Sequence, residues 1–129
     1  MLPQTDKDAL ISRALEHTVS VEGGMTCVII TNYPLPAGLN RQSADLLIRL
    51  SPGYPDVPPD MWWFNPAIAR PDGVPIAATQ SVENYFGRQW QRWSRHLPAG
   101  VWRSGTDSIE SYLALVNREL ITAANARAA

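Results

Sequence analysis

Apolar residues along the chain recur at helical spacing near both ends and at strand spacing between them. Near the N-terminus, Thr5 and Asp8 resemble a capping box, and the apolar residues that follow predict an amphipathic helix over 5–17. Near the C-terminus, Asp107 with Glu110 marks the start of a second predicted helix. Its apolar stripe consists of Ile109, Tyr112, Leu113, Val116 and Leu120. The chain is therefore expected to begin and end with a helix.

Three segments between these helices have the composition of β-strands. Residues 26–31 are rich in β-branched side chains, residues 45–50 place leucine and isoleucine on one face, and residues 61–64 are a short aromatic run. Residues 33–40 form a loop of hairpin length. A helix, an antiparallel meander and a final helix are typical of an α+β domain in which terminal helices cover one sheet.

A long irregular segment from 65 to 105 separates the third strand from the final helix. Prolines and glycines interrupt it, and apolar residues at helical spacing predict one short helix over 81–93. An insert of this length inside a compact domain is usually functional. The sequence contains no internal repeat and no linker, so residues 1–129 are predicted to form a single domain.

Composition narrows the classes of function. The formal net charge of -1 argues against broad electrostatic binding to nucleic acid or to an anionic membrane. The N-terminus has no apolar signal core and no run reaches the length of a membrane span, which favours a cytoplasmic protein. The single cysteine, Cys27, and two distant histidines make no ligand set at metal spacing, and glycine-rich phosphate loops are missing. We therefore expect neither a metal nor another cofactor.

A proline-rich segment joins the second predicted strand to the third. Residues 51–64 read Ser-Pro-Gly-Tyr-Pro-Asp-Val-Pro-Pro-Asp-Met-Trp-Trp-Phe. Because proline fixes φ and lacks a backbone donor, the part that contains the prolines can be neither a helix nor a central strand. It predicts a rigid crossing between two strands of the sheet.

The crossing and the order of elements resemble the ubiquitin-conjugating enzyme (UBC-like) superfamily. In that fold a helix precedes a meander, and a Tyr-Pro-x-x-Pro-Pro crossing, here Tyr54 to Pro59, precedes the active-site stretch. The runs from Trp62 to Pro66 and from Gly87 to His96 look like one of the bacterial UBC-like families. Those families are associated with a ubiquitin-like modifier protein, an activating enzyme and a metalloprotease-type deconjugase. The resemblance implies the UBC-like fold and partners of the first two kinds.

The residues after the crossing differ from the family pattern. Pro66 to Gly73 lies where the family carries its His-Pro-Asn segment and the glycine before its catalytic cysteine. In this chain Val-Pro-Ile-Ala-Ala-Thr follows Gly73, without a cysteine. Cys27 lies in the first predicted strand, and a thiol within a β-branched run is typical of a buried core residue. The resemblance thus implies a conjugation component without the usual cysteine thioester.

Ser94 and His96 are candidates for another chemistry, because a serine becomes nucleophilic when a base such as histidine activates it. Residues two apart share a face in an extended segment, whereas in a helix they point apart. An oxyester-linked modifier on Ser94, with His96 as base and Arg95 holding the developing oxyanion, is chemically coherent. Ser81 and Thr79 are alternative hydroxyls that lie nearer to the position of the family's cysteine.

The same region is basic and aromatic, because no acidic residue occurs between Asn84 and Thr106. Its candidate binding residues are Arg88, Trp90, Arg92, Trp93 and Arg103. Arginine binds carboxylates through paired hydrogen bonds and tryptophan anchors interfaces, which favours a surface for a modifier tail or an acidic partner. Tryptophans that bury a loop while arginines extend outward would explain the composition equally well.

Three functions are therefore compatible with the sequence. The chain accepts or positions a ubiquitin-like modifier, through an oxyester on a hydroxyl; or it is a non-catalytic UBC-like adaptor that binds the modifier or the activating enzyme. The third is an interaction domain unrelated to modifiers, since a fold does not determine a function.

Overall fold

The computed structural model describes residues 2–125, which form two helices packed on one six-stranded antiparallel sheet. The elements are α1 (Gln4–Ser12), β1 (His17–Glu22), β2 (Met25–Pro34), β3 (Ser43–Leu50), β4 (Trp62–Asn65), β5 (Val82–Tyr85), β6 (Arg88–Trp93) and α2 (Ile109–Asn125). The strand order is β1-β2-β3-β4-β6-β5. Neither helix is long and apolar enough to cross a membrane. The predicted α+β class, with a helix at each end of the described chain, is confirmed.

The first helix is shorter than predicted, and a strand follows it. α1 ends at Ser12, and His17 already begins β1, so the predicted helical limits of 5–17 are wrong at the C-terminal side. β1 was not among the predicted strands, although its valines alternate with polar residues before Gly23 and Gly24. Both glycines have positive φ, 61° and 75°, as a type I′ hairpin turn requires. This turn joins β1 to β2.

The helix predicted over 81–93 is wrong, because this part of the irregular segment is a β-hairpin. β5 and β6 pair from Val82 opposite Gln91 to Tyr85 opposite Arg88. The turn between them has positive φ at both residues, 56° and 71°. Val82 and Trp90 share one face of a helix, but in the hairpin they lie on opposite faces, because Val82 lies opposite Gln91 and Trp90 opposite Glu83. The helical spacing of these apolar residues was therefore a coincidence.

The sheet carries an apolar core on each face. On the helix side, α2 packs against alternate strand residues that include Trp62, Phe64 and Trp93, all 0% exposed. The rings of Phe64 and Trp93 meet edge to face at 5.6 Å. The opposite side, which we call the back face, has a smaller cluster. It consists of Cys27, Leu47, Trp63 and Trp90. Edge-to-face geometry adds to the stabilisation that buried aromatic area provides.

The back-face cluster contains no helical residue among those described, and edge side chains cover it instead. The Arg49 guanidinium lies 4.3 Å from the centre of the Tyr85 ring. The backbone N–H of Phe86, in the β5–β6 turn, donates to Oε2 of Glu22 at 3.3 Å. Because Glu22 ends β1, this bond links the two edges of the sheet. Long cationic and aromatic side chains therefore take the place of a second helical layer.

The proline-rich crossing is fixed to both helices through one buried carboxylate. Asp6 of α1 is 2% exposed. Its Oδ2 accepts a hydrogen bond from the Tyr54 hydroxyl at 2.6 Å, and its Oδ1 accepts one from the Ile109 N–H at 3.2 Å. Trp102 Nε1 donates to the Pro55 carbonyl at 2.8 Å. The predicted rigid crossing is thus held by α1, by the first residue of α2 and by the segment before α2.

We expect all four tyrosines to resist ionisation in the folded protein. They are Tyr33, Tyr54, Tyr85 and Tyr112. In each case burial is the main reason why the pKa lies above the ordinary value of 10.0, and the Asp6 carboxylate raises that of Tyr54 further. A raised folded-state pKa contributes stability that is present below the unfolded pKa and is lost as pH rises. Tyrosinate absorbance should therefore appear above pH 10, together with unfolding measured by circular dichroism. Tyrosinate absorbance that rises near pH 10 while the protein stays folded would contradict this expectation.

Candidate functional site

The segment that ends in Gly73 is fixed by one arginine. Arg70 pairs with Asp72 through Nη2 at 2.6 Å and donates through Nη1 to the Ala123 carbonyl of α2 at 2.7 Å. Asp72 Oδ1 also accepts the Val74 N–H at 3.0 Å. The hydrogen bonds from Arg70 and from the Val74 N–H lower the pKa of Asp72 below its ordinary value. The turn that ends at Gly73 is therefore tied to the end of α2.

The chain after Gly73 lies against the C-terminal end of β6. The Ser94 N–H donates to the Ala78 carbonyl at 3.0 Å, and the Arg92 N–H donates to the Ser81 carbonyl at 2.9 Å. Arg95 Nη1 donates to the Ala77 carbonyl at 2.9 Å. These bonds extend the β5–β6 pairing beyond the strands. They place the segment that follows Gly73 directly beside Ser94 and Arg95.

Arg92 connects the two candidate serines. Its Nε donates to Ser94 Oγ at 3.1 Å, and its Nη2 donates to Ser81 Oγ at 3.3 Å. Its Nη1 forms an ion pair with Glu83 Oε2 at 3.1 Å. Glu83 is held in turn, because its Oε1 accepts Trp63 Nε1 at 2.7 Å. One guanidinium therefore contacts both hydroxyls, and the back-face strands fix its position.

His96 and Arg95 have partners of their own. His96 Nδ1 lies 2.6 Å from Asp60 Oδ1, and both side chains are largely exposed, 63% and 60%. Arg95 Nε pairs with Glu119 of α2 at 2.7 Å. Ser94 Oγ accepts a hydrogen bond from Arg92, whereas His96 pairs with Asp60. The serine and the histidine that the sequence predicted to act together therefore have different partners. The Asp60 carboxylate orients the imidazole and leaves its Nε2 for another group.

The two alternative hydroxyls differ in exposure. Thr79 is 7% exposed, and its Oγ1 donates to the Ile76 carbonyl at 2.8 Å. Ser81 is exposed at the start of the hairpin, where Arg92 contacts it. Ser94 is partly exposed. The hydroxyls that contact Arg92 are therefore also the more accessible ones.

The predicted binding residues divide between core and surface. Trp90 and Trp93 are both 0% exposed, and they lie in the back-face and helix-side cores respectively. Arg88 Nη2 pairs with Asp45 at 2.7 Å, while its guanidinium covers the Trp90 ring at 4.6 Å. Arg103 is exposed in the segment before α2. The tryptophans thus support this region from inside, and the arginines form its outer layer.

A comparison with protein families decides the classification. The family model described as Prokaryotic E2 family E matches residues 2–123, nearly the whole chain. The chain belongs to prokaryotic E2 family E. No curated protein and no solved structure matched it. The resemblance to a bacterial UBC-like family is thereby confirmed, and so is the UBC-like form of the α+β fold. E2-like families act in ubiquitin-like conjugation, so the predicted role in such a bacterial system is supported at that level.

The single thiol of this E2-family chain is inaccessible. Cys27 is 0% exposed on the back face, where its Sγ lies 3.8 Å from the Met25 carbonyl. It belongs to β2, which β3 and β4 separate from β6 in the order of the sheet. The prediction that Cys27 is a core residue is confirmed. A group of three or more residues suited to hold a metal ion does not occur in the part of the chain described.

A cavity of about 300 Å³ opens on the back face next to the partners of His96 and Arg92. Its lining is Met25, Arg49, Ser51, Val57, Pro58, Asp60, Met61, Trp63, Glu83 and Tyr85. Its two carboxylates, Asp60 and Glu83, are the partners of His96 and Arg92. One lining carboxylate, Asp60, therefore contacts the imidazole directly. The other, Glu83, is connected to the two serines through Arg92.

Sequence reasoning did not find Asp60 and Glu83 as parts of this site. Asp60 lies in the proline-rich crossing, far from His96 along the chain, so only the tertiary structure shows the pair. Glu83 could have been found once the hairpin was recognised, because it lies directly opposite Trp90 and on the face that carries Arg92. The alternation of residues in β5 and β6 was the signal, and the helix prediction concealed it.

Proposed function

We propose that this chain receives a ubiquitin-like modifier from an activating enzyme as an oxyester on Ser94 and passes it to an amine. The contact of Arg92 with Ser94 and Ser81, beside the segment that follows Gly73, is the observation that carries the proposal. Membership in a prokaryotic E2 family supports a role in modifier conjugation. Because Cys27 is buried, we assign the carrier to a hydroxyl instead of a thiol.

In the loading step, Ser94 Oγ attacks the activated C-terminal carbonyl carbon of the modifier. A C–O ester bond forms, and the bond to the activating enzyme's thiol, or to AMP, breaks. The hydroxyl proton passes to Nε2 of His96 once the imidazole, which Asp60 holds at Nδ1, turns toward Ser94 on loading, because the two side chains have separate partners in the structure. Arg92 donates to Ser94 Oγ, and its positive charge stabilises the negative charge that develops on the reacting oxygens. Arg95 acts here as a positioning residue, because it binds the Ala77 carbonyl and Glu119.

In the transfer step, an amine nitrogen attacks the ester carbonyl carbon. A C–N amide bond forms, the C–O bond to Ser94 breaks, and the proton that the amine loses restores the Ser94 hydroxyl through His96. The back-face cavity suits the approach of such an amine. Its apolar lining accommodates an aliphatic chain, and the exposed carboxylate of Asp60 can accept a hydrogen bond from the amine.

A non-catalytic adaptor is the second candidate, and the separate partners of Ser94 and His96 favour it. In this case the outer arginines of the site bind the modifier or the activating enzyme, and no covalent bond forms. Arg88, Arg92 and Arg103 would make the contacts, while the buried Trp90 and Trp93 would hold the surface in shape.

Chemical stability of the adduct tests the proposal against the adaptor. Incubation with the activating enzyme, ATP and the modifier should give a covalent adduct that survives thiols and is cleaved by hydroxylamine, because oxyesters behave in this way and thioesters do not survive thiols. Gel mobility with and without each reagent measures how much of the adduct remains. A Cys27→Ser variant should form the same adduct. Binding without any adduct would favour the adaptor. An adduct that survives the combined change of Ser94→Ala, Ser81→Ala and Thr79→Ala would refute the hydroxyl carrier.

A further inference from the structure

The outer edge of β1 is unprotected, and this edge is separate from the site that contains Ser94 and Arg92. The middle four residues of β1 are all exposed, and Val19 and Val21 have exposed fractions of 40% and 71%. β1 is the terminal strand of the sheet, so the backbone groups on its outer side have no strand partner among residues 2–125. Proteins usually protect such an edge with lysine, proline, a bulge or a very short strand. β1 contains no lysine or proline and pairs in continuous register with β2.

The hairpin turn determines which backbone groups point outward. The two-residue turn of Gly23 and Gly24 makes Glu22 and Met25 the closing pair, which exchange both backbone hydrogen bonds. Hydrogen-bonded pairs alternate along an antiparallel ladder, so every second residue of β1 directs its N–H and C=O toward β2. The other residues direct theirs outward. They are His17, Val19 and Val21.

These outward groups match a second copy of the same strand. In antiparallel pairing, residues that exchange hydrogen bonds must both direct their backbone groups at each other. A register centred on Val19 opposite Val19 satisfies this rule and also pairs His17 with Val21 of the other copy. It uses the outward groups of all three residues in both copies. Registers shifted by two residues use fewer of them, and registers shifted by one residue use none.

In this register the side chains that lie opposite each other are also compatible. Directly opposite residues lie on the same face of a sheet, so the exposed valines of both copies come together on the helix side. On the back-face side, Thr18 lies opposite Ser20 of the other copy, which permits hydroxyl hydrogen bonds. At each end of this register Glu22 lies opposite Glu16 of the other copy, and these two like-charge pairs weaken the association. β1 is complementary to itself in backbone pattern and in apolar surface.

We propose that two copies of this chain associate through β1, which joins their sheets into one continuous antiparallel sheet. The surface buried by a single strand pair is small, so the dimer is weak and forms only at high protein concentration. The association is independent of the transfer chemistry, because β1 and β6 are separated by three strands. Modifier transfer could therefore fail while the dimer forms, or the reverse.

Sedimentation of the full chain at concentrations up to about 1 mM tests this proposal. We expect a concentration-dependent dimer for the unaltered chain and a monomer for Val19→Lys, because the change places two ammonium groups opposite each other. Val82→Lys is the matched control, since Val82 is also an exposed valine, 58% against 40% for Val19, and lies on the opposite edge strand, β5. It should dimerise like the unaltered chain. Circular dichroism of each variant establishes that it is folded.

Amide hydrogen exchange gives a second readout that does not depend on a variant. Exchange of the Val19 and Val21 amides should slow as concentration rises, and that of the Thr18 and Ser20 amides should not change, because they already pair with β2. A chain that remains monomeric over the whole range would overturn the proposal. A dimer that persists in Val19→Lys would also overturn it, because the contact would then lie elsewhere.

Discussion

Replacing Asp6 with alanine should lower the free energy of unfolding by about 3 kcal/mol, because two hydrogen bonds to a buried carboxylate are lost. The Tyr54 hydroxyl and the Ile109 N–H would remain in place without their acceptor. The variant therefore loosens the proline-rich crossing and the start of α2 together. Urea unfolding followed by tryptophan fluorescence measures the change.

Two variants make the Asp6 experiment specific. Asp8→Ala removes an exposed carboxylate from the same helix and should change stability by less than about 0.5 kcal/mol. Tyr54→Phe removes one of the two hydrogen bonds, and its effect should be non-additive with that of Asp6→Ala, because the two residues are in contact. Equal effects of Asp6→Ala and Asp8→Ala would show that Asp6 does not hold the crossing.

Replacing Arg92 with methionine should slow formation of the modifier adduct about 100-fold, because the hydrogen bond to Ser94 Oγ and the positive charge beside the reacting oxygens are both lost. Methionine keeps much of the side-chain length but donates no hydrogen bond. Stability should fall by only about 1 kcal/mol, because the ion pair with Glu83 is partly exposed. Single-turnover loading rates, measured beside an unfolding curve, separate the two effects.

Arg92→Lys and Arg118→Met provide the comparison. Lysine preserves the charge but cannot contact Ser94, Ser81 and Glu83 together, so loading should recover only in part. Arg118 is exposed on α2, and its replacement should leave the rate within about twofold of the original, as expected for a surface position. Loading that stays unchanged in Arg92→Met would remove Arg92 from the mechanism.

Local sequence signals were sufficient for some elements and insufficient for others. The 3.6-residue period found α2, and strong β-branched or alternating runs found β2 and β3 with errors of a few residues at their ends. The prolines of residues 51–64 identified the crossing, because proline excludes most other structures. β1 and the β5–β6 hairpin were missed. In both cases a two-residue turn decides the structure, and Phe86 in one of them is a residue that seldom adopts positive φ.

The candidate site was predictable only in part, because its geometry depends on contacts distant in the sequence. Ser94, His96 and the arginines attracted attention as the chemically richest run of the chain. The Asp60 partner of His96 and the Glu83 partner of Arg92 come from the crossing and from β5. Their roles require the β4–β6 and β5–β6 pairings, which local periodicity does not specify.

Mass spectrometry of the adduct tests the central claim most directly. Trypsin cuts after Arg92 and Arg95, so it releases Ser94 in the peptide 93–95, while Thr79 and Ser81 remain together in 50–88. We predict an ester-linked modifier remnant on 93–95, which hydroxylamine removes. A remnant on 50–88 would contradict Ser94 as the carrier. An amide-linked remnant confined to Lys7, the single lysine of the chain, would contradict the hydroxyl carrier altogether.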